Sequence, residues 1–306
     1  MLDGKSPQSH RISGLWWLMF SMAVVVYILV ITLVLVAVFR RNTAGYDAVA
    51  PADETRSDHR LLLYGGLALP MVVLSVIAVQ TVRVSNSLQA ATATVHVTVD
   101  AEDWWWRVSY PADDVVTANE IHVPVGQRVQ IALRSDNVIH SLWVPQLNGK
   151  SDVIPGETNF MTFTAESTGT YRGQCAEFCG IEHAKMAFVV VVESDADYVA
   201  WLAANRHAAV QPQTALQREG AQILATTSCA GCHTVAGTAA TGIIGPDLTH
   251  VGSRSTLAAD TLPNTDAGMT EWLSATQRVK QGALMPQIDL SSAQVAALVA
   301  YLESLK

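Results

Sequence analysis

Residues 14–39, GLWWLMFSMAVVVYILVITLVLVAVF, hold no charged side chain. An apolar run of that length is long enough to cross a bilayer as a single helix. A second uncharged run, LLLYGGLALPMVVLSVIAVQTV, follows at 61–82. The first run is too long for the core of a signal peptide, and another span follows it, so the pair reads as a membrane hairpin. The loop between them carries Arg40, Arg41, Arg56 and Arg60, the tail before them Lys5 and Arg11, and only Arg83 stands just past the second span. Basic side chains concentrate on the cytoplasmic side, which places the loop inside. The N-terminus and everything after residue 83 are then expected on the outer face of a bacterial-type plasma membrane.

With 306 residues, the chain has room for two soluble domains beyond the hairpin. The pattern changes after residue 92. TVHVTVDA, EIHVPVGQRVQIAL, NFMTFTA and MAFVVVV read as strands, broken by the turn signals VGQ, NGK, PGE and STG. Several strands in about a hundred residues predict a β-sandwich or barrel over 93–194. DADYVAWLAANRHAAV then predicts a helix, and with QPQT it forms a connecting segment, 195–212 and just beyond. In 213–306, LQREGAQILATTS, TEWLSATQRVKQ and SSAQVAALVAYLESL have helical apolar spacing between Gly-, Pro- and Thr-rich loops. That is a small α domain. The formal charge of −8 argues against nucleic acid as a partner. Most of the negative charge is in 94–193, where thirteen Asp/Glu face six Lys/Arg, while 213–306 has seven against five.

Four cysteines on an outward-facing chain could form two disulfides. The spacing of two of them argues otherwise. Cys229, Cys232 and His233 form CAGCH, the pattern of covalent c-type haem attachment. Two thiols about one helical turn apart can form thioethers with the two vinyl groups, and the adjacent histidine places imidazole on the iron. A disulfide has no use for that histidine. A methionine commonly completes such an iron. Met285, in the loop GALMPQ and stiffened by the next proline, is favoured over Met269, near a helix start. Cys175 and Cys179 remain, with His183 four residues on. They resemble a metal site more than a bridge, although a local disulfide and a structural zinc have the same residue types. His140, in NVIHSLW, is the nearest further histidine, and spacing alone does not decide whether it joins them.

VIHSLWVPQLNGKSDVIPGET and YRGQCAEFCGIEHAKMAF resemble cytochrome c oxidase subunit II, and the order of hairpin, WWW, histidine strand and cysteine loop resembles it throughout. The CAGCH domain is similar to the cytochrome c fused to subunit II in some oxidases. The resemblance implies a two-helix transmembrane hairpin (1–92), a cupredoxin-like Greek-key β-barrel and a C-terminal all-α c-type cytochrome domain. It implies a dinuclear copper centre, CuA, whose ligands would be His140, Cys175, Glu177 through its carbonyl, Cys179, His183 and Met186. Both thiolates would bridge the two coppers. Soft thiolate, imidazole and a weak thioether suit copper that alternates between Cu(I) and Cu(II). The Glu177 carboxylate would reach a magnesium shared with subunit I. Trp104, in EDWWWRVSY, aligns with the family's electron-accepting tryptophan, although Asp103 stands where an amide is usual. At least one of the three tryptophans is expected at a surface or membrane interface. The family commonly has a glutamate at a proton-channel entrance, seven residues before the proline of LP. Here that position is Leu63, counted back from Pro70.

The function implied is electron input to a haem–copper cytochrome c oxidase. Electrons would pass from a soluble or membrane cytochrome c, or another donor, through haem c and CuA to subunit I, which reduces oxygen to water and translocates protons. Subunit III is a further expected partner, and the lipid bilayer another. Two alternatives share these features: the electron-input subunit of a CuA-type nitric oxide reductase, and a non-enzymatic membrane-anchored copper/haem relay. A nitrous oxide reductase would need a large histidine-rich domain, and a quinol-oxidase subunit would lack the copper ligands.

Overall fold

The computed structural model describes residues 3–43, 59–60, 62–88 and 92–306. Arg56 and Leu61 lie outside them. The chain forms two compact units, His10–Ala90 and the remainder, Met1–Ser9 with Ala91–Lys306.

The first long helix, α1 (Pro7–Thr43), begins earlier than the apolar run at 14. Ser6 caps it: the Ser9 N–H donates to Ser6 Oγ (3.0 Å), and Pro7 takes the first helical position, where no N–H is needed. The second begins as a wide turn, Leu62–Ala68, and continues as α2 (Leu69–Leu88). Pro70 withholds an N–H at this junction. Both helices are long and apolar enough to cross a membrane.

The β domain is built from two five-stranded sheets, ordered β3-β2-β1-β5-β8 and β4-β10-β9-β6-β7. The first comprises β1 (Val95–Glu102), β2 (Trp105–Tyr110), β3 (Val115–Ala118), β5 (Arg128–Ser135) and β8 (Asn159–Thr164). The second comprises β4 (Glu120–Pro124), β6 (His140–Trp143), β7 (Ser151–Val153), β9 (Gly169–Cys175) and β10 (Ala187–Glu193). Parallel pairings β1–β5 and β4–β10 mark Greek-key crossovers between otherwise antiparallel neighbours. Alternation closes the core: Val129, Ile131 and Leu133 of β5 point inward against Phe163, while Phe188 and Val190 face them from the other sheet. EIHVPVGQRVQIAL, one segment in the sequence, is divided between β4 in one sheet and β5 in the other. Trp106 is wholly buried in this core, whereas Trp104 and Trp105 are half-buried.

Ahead of α1, residues 5–8 strap the barrel. Lys5 N–H donates to Gln146 O (2.7 Å), Lys5 O accepts from Glu166 N–H (2.9 Å), and Ser6 Oγ donates to Leu147 O.

After β10, α3 (Asp195–Asn205) is capped by Ser194. It stops five residues before Val210, the expected end, because the chain turns to the α domain, where Ala209 N–H bonds Ala236 O (2.9 Å). That domain consists of α4 (Ala215–Thr226), α5 (Cys229–Cys232), α6 (Asp266–Ser274), α7 (Thr276–Val279) and α8 (Ser292–Leu302). Leu224, Met269, Leu273, Leu298 and Leu302 form its core. TEWLSATQRVKQ is therefore not one helix: it starts earlier, capped by Thr265, and breaks at Ala275. There the Thr276 hydroxyl bonds Trp272 O (2.7 Å), the carbonyl that its own amide would take in a continuous helix.

The α domain is docked on the barrel. Ser255 donates its N–H and Oγ–H to Glu120 Oε1 (2.6 Å each), Arg172 Nε donates to Asp260 Oδ2 (2.8 Å), and Ala187 N–H to Ala259 O (3.2 Å).

Candidate functional site

Two loops and one strand end bring sulfur and imidazole together at one end of the barrel. β6 pairs with β9 through Leu142 and Cys175, which sets His140 beside the cysteine loop. Cys175 Sγ lies 3.8 Å from Cys179 Sγ, 4.0 Å from His140 Nδ1 and 3.3 Å from the Glu177 carbonyl. Cys179 Sγ lies 3.6 Å from His183 Nδ1 and 3.8 Å from Met186 Sδ. Both cysteines are free and buried, as are His140 and Met186. The contact between the two thiols pulls the Cys175 pKa down to about 3 and, together with burial, pushes that of Cys179 up. His140 Nε2 is 2.9 Å from Asn137 Oδ1, which fixes the ring with Nδ1 toward the sulfurs. The donor set, two thiols, two imidazoles, a thioether and a carbonyl, fits copper better than zinc, since a closed zinc site uses four strong ligands and no thioether.

Glu177 divides between two environments. Its carbonyl faces the thiols, and its half-exposed carboxylate pairs with Lys150 Nζ at 3.3 Å.

The second site is a mostly apolar cavity in the α domain, walled by Cys229, Cys232, His233, Leu298 and both Met269 and Met285. His233 Nδ1 donates to Pro246 O (2.7 Å), leaving Nε2 as the lone-pair nitrogen. Burial lowers the His233 pKa, which favours the neutral ring that a metal ligand requires. Gly245 lies against this imidazole, and a Cβ there would come within 2.6 Å of the ring. The loop that carries Met285 is pinned by Gln277, whose Nε2 donates to Ala283 O (2.8 Å) and Met285 O (2.9 Å). Apolar walls, a neutral histidine and two thiols on one helical turn suit a haem.

Trp104 touches both sites. It lines the cavity, and its indole N–H donates to Cys179 O (2.8 Å). Its ring lies on Gly180, where φ is +119° and a Cβ would meet the indole at 2.9 Å. Asp103 brings a carboxylate oxygen 3.9 Å from His140 Nε2. Leu63 is on the wide turn at the head of the second long helix.

Asn137, Pro246, Gln277 and Lys280 contribute to these sites without having been singled out in the sequence. Three of them act on or through main-chain carbonyls, for which residue patterns carry no signal.

The family described as "Cytochrome C oxidase subunit II, periplasmic domain" matches residues 110–194, and "Cytochrome c" matches 217–306. Cytochrome c oxidase subunit 2 of Alkalihalophilus pseudofirmus is 32% identical over 321 residues, covering 100% of this chain and 90% of that protein. The protein of the same name from Bacillus subtilis is 28% identical over 88% of this chain and 80% of its own. Among solved structures, the periplasmic domain of subunit II of cytochrome oxidase of Bradyrhizobium japonicum is 27% identical, with a TM-score of 0.38, over 39% of this chain and 97% of that one.

Proposed function

The chain belongs to the cytochrome c oxidase subunit II family, and from that footing we propose that it is the membrane-anchored electron-input subunit of a haem–copper oxygen reductase. Its partners are then subunits I and III and an external electron donor. Cys175, Cys179, His140 and His183 through Nδ1, Met186 and the Glu177 carbonyl would hold the two coppers of CuA. Cys229 and Cys232 attach haem c, and His233 Nε2 and Met285 bind its iron. The half-exposed Glu177 carboxylate, which pairs with Lys150 here, would face a magnesium at the subunit I contact. When bound, the haem and the copper pair supply one-electron redox chemistry, in the order donor, haem c, CuA, subunit I. The remaining work falls to the chain. Buried donors hold a fixed geometry, so little rearrangement accompanies a change of charge. Asn137 and Pro246 orient the two histidines. Apolar walls keep water from the cavity.

The observation that carries the reading is the position of Trp104, which forms part of the cavity wall and is hydrogen-bonded to Cys179. One ring therefore bridges the two sites. The metal assignments share no residue, so they are separable. Cys175→Ser or Cys179→Ser in the purified complex is expected to abolish the copper absorption and paramagnetic signal while covalent haem survives on a denaturing gel. Loss of covalent haem from a folded variant, or a surviving copper signal, contradicts the assignment.

A further inference from the structure

The segment carrying Met285 is tied to the barrel by a buried ammonium. Lys280 is only 4% exposed. Its Nζ donates to Trp104 O (2.6 Å), Lys185 O (2.8 Å) and, more weakly, Ala258 O (3.5 Å). Trp104 and Lys185 belong to the barrel and Ala258 to the haem domain, so one ammonium divides its three donors between them. The contact is reciprocal, since Lys185 Nζ donates to Val279 O (2.6 Å). A buried cation is costly unless its hydration is replaced bond for bond. Burial holds the Lys280 pKa down to about 8, with Glu182 as the carboxylate that opposes this. An ion pair between the domains, Arg172–Asp260, involves an arginine that is 59% exposed. Exposed pairs of that kind contribute at most about 1 kcal/mol. Lys280 differs because its donors are satisfied only in one docked arrangement. A shifted haem domain would leave the ammonium buried and short of acceptors.

We propose that Lys280 is a positioning residue for electron transfer: it fixes the haem domain on the backbone of Trp104 and so sets the geometry between the haem cavity and the thiol cluster. The inference rests on the reading of those two sites as haem c and CuA. Lys280 lines the cavity, but its ammonium is directed at main-chain carbonyls. It joins Met285, five positions on in its own loop, to Trp104 through the carbonyl.

The test uses Lys280→Met and Lys280→Gln in the full oxidase complex, since both keep much of the side-chain length without the charge. Hydrogen exchange is followed at Ala187, whose N–H bonds Ala259 across the domain contact, and in α8, which lies within the haem-domain core. Electron transfer from photoreduced haem c to CuA is followed in the same samples. Exchange at Ala187 is expected to rise and transfer to slow, each about tenfold or more, with α8 protection and the haem and copper spectra unchanged. Unchanged exchange and transfer overturn the proposal. So does faster exchange with unaltered transfer, because the pose would then not govern the rate. Loss of α8 protection in both variants also overturns it, by making Lys280 a fold residue of the haem domain. If the unmutated protein shows no transfer from haem to copper, the redox reading fails, and the exchange measurement still decides whether Lys280 holds the domains together.

Discussion

Met269 and Met285 both reach the cavity beside Cys229 and Cys232, but their settings differ. Met269 is buried in the core on α6, where its side chain packs against the helical core, and a volume-conserving change there costs under about 1.5 kcal/mol. Met285 is half-buried on a loop held by Gln277 and packs against that core from its edge. Under the proposed assignment, Met285→Leu is expected to lower the haem reduction potential through loss of a thioether ligand, whereas Met269→Leu should leave it close to the parent value. Potentiometric titration distinguishes them, and the opposite result would move the ligand to Met269. At this scale the sequence was informative where donors are near neighbours along the chain. Cys175, Cys179, His183 and Met186 occupy twelve positions, and CAGCH five. His140 was legible only through family resemblance, because it stands thirty-five residues from Cys175 and is brought in by the β6–β9 pairing. Residues whose partners are main-chain carbonyls, such as Lys280, left no trace in spacing.

β4 shows the same limit for an element. Its residues Glu120–Pro124 are buried without alternation, although it is the edge of its sheet. The cover comes from elsewhere: the Trp201 ring of α3 stacks on His122 at 4.0 Å, and Ser255 of the haem domain bonds Glu120. Strand content was legible from period-2 patterning, but this cover was not, since it joins segments remote in sequence. It also confines a titratable cluster. His122 Nδ1 is 3.1 Å from Glu193 and Nε2 is 3.5 Å from Glu120. Burial lowers the His122 pKa, but the two carboxylates outweigh it and the net shift is upward from 6.5. For Glu120, burial pulls upward, the bonds from His122 and Ser255 outweigh it, and the net shift is downward from 4.5. A raised histidine contributes stability that is complete below 6.5 and is lost as pH rises through its folded pKa. A lowered glutamate contributes stability present above 4.5 and lost as pH falls through its folded pKa. Stability from this cluster should therefore peak between those values. His122→Gln is expected to flatten the alkaline decline in thermal melts from about pH 5 to about pH 8. The difference from the parent is the measure, because Lys280, with its pKa lowered to about 8, contributes with the opposite sign at higher pH. A difference curve independent of pH would show that His122 does not carry the effect.

At the scale of the whole molecule, the strap at residues 5–8 bears on how the chain crosses the membrane. Lys5 and Ser6 bond Gln146, Leu147 and Glu166 of the barrel, and α1 starts at Pro7. The N-terminus and the barrel must therefore occupy the same aqueous side. Only an even number of crossings between them satisfies this, and two helices among the described residues are long and apolar enough to cross. The basic residues independently favour a cytoplasmic loop. An odd count would need one of the two helices to lie outside the bilayer, at a cost of about 25 cal/mol for each Å² of apolar surface left in water. The expected topology has the N-terminus, the barrel and the haem domain outside and the loop between the spans inside. Protease added to intact spheroplasts should release the haem domain, with cleavage in the connection around Gln211–Thr214, while an epitope inserted within 44–58 becomes accessible only after lysis. Protection of the haem domain together with exposure of that epitope would reverse the orientation. It would also remove the cavity and the thiol cluster from the face on which the proposed external donor would arrive.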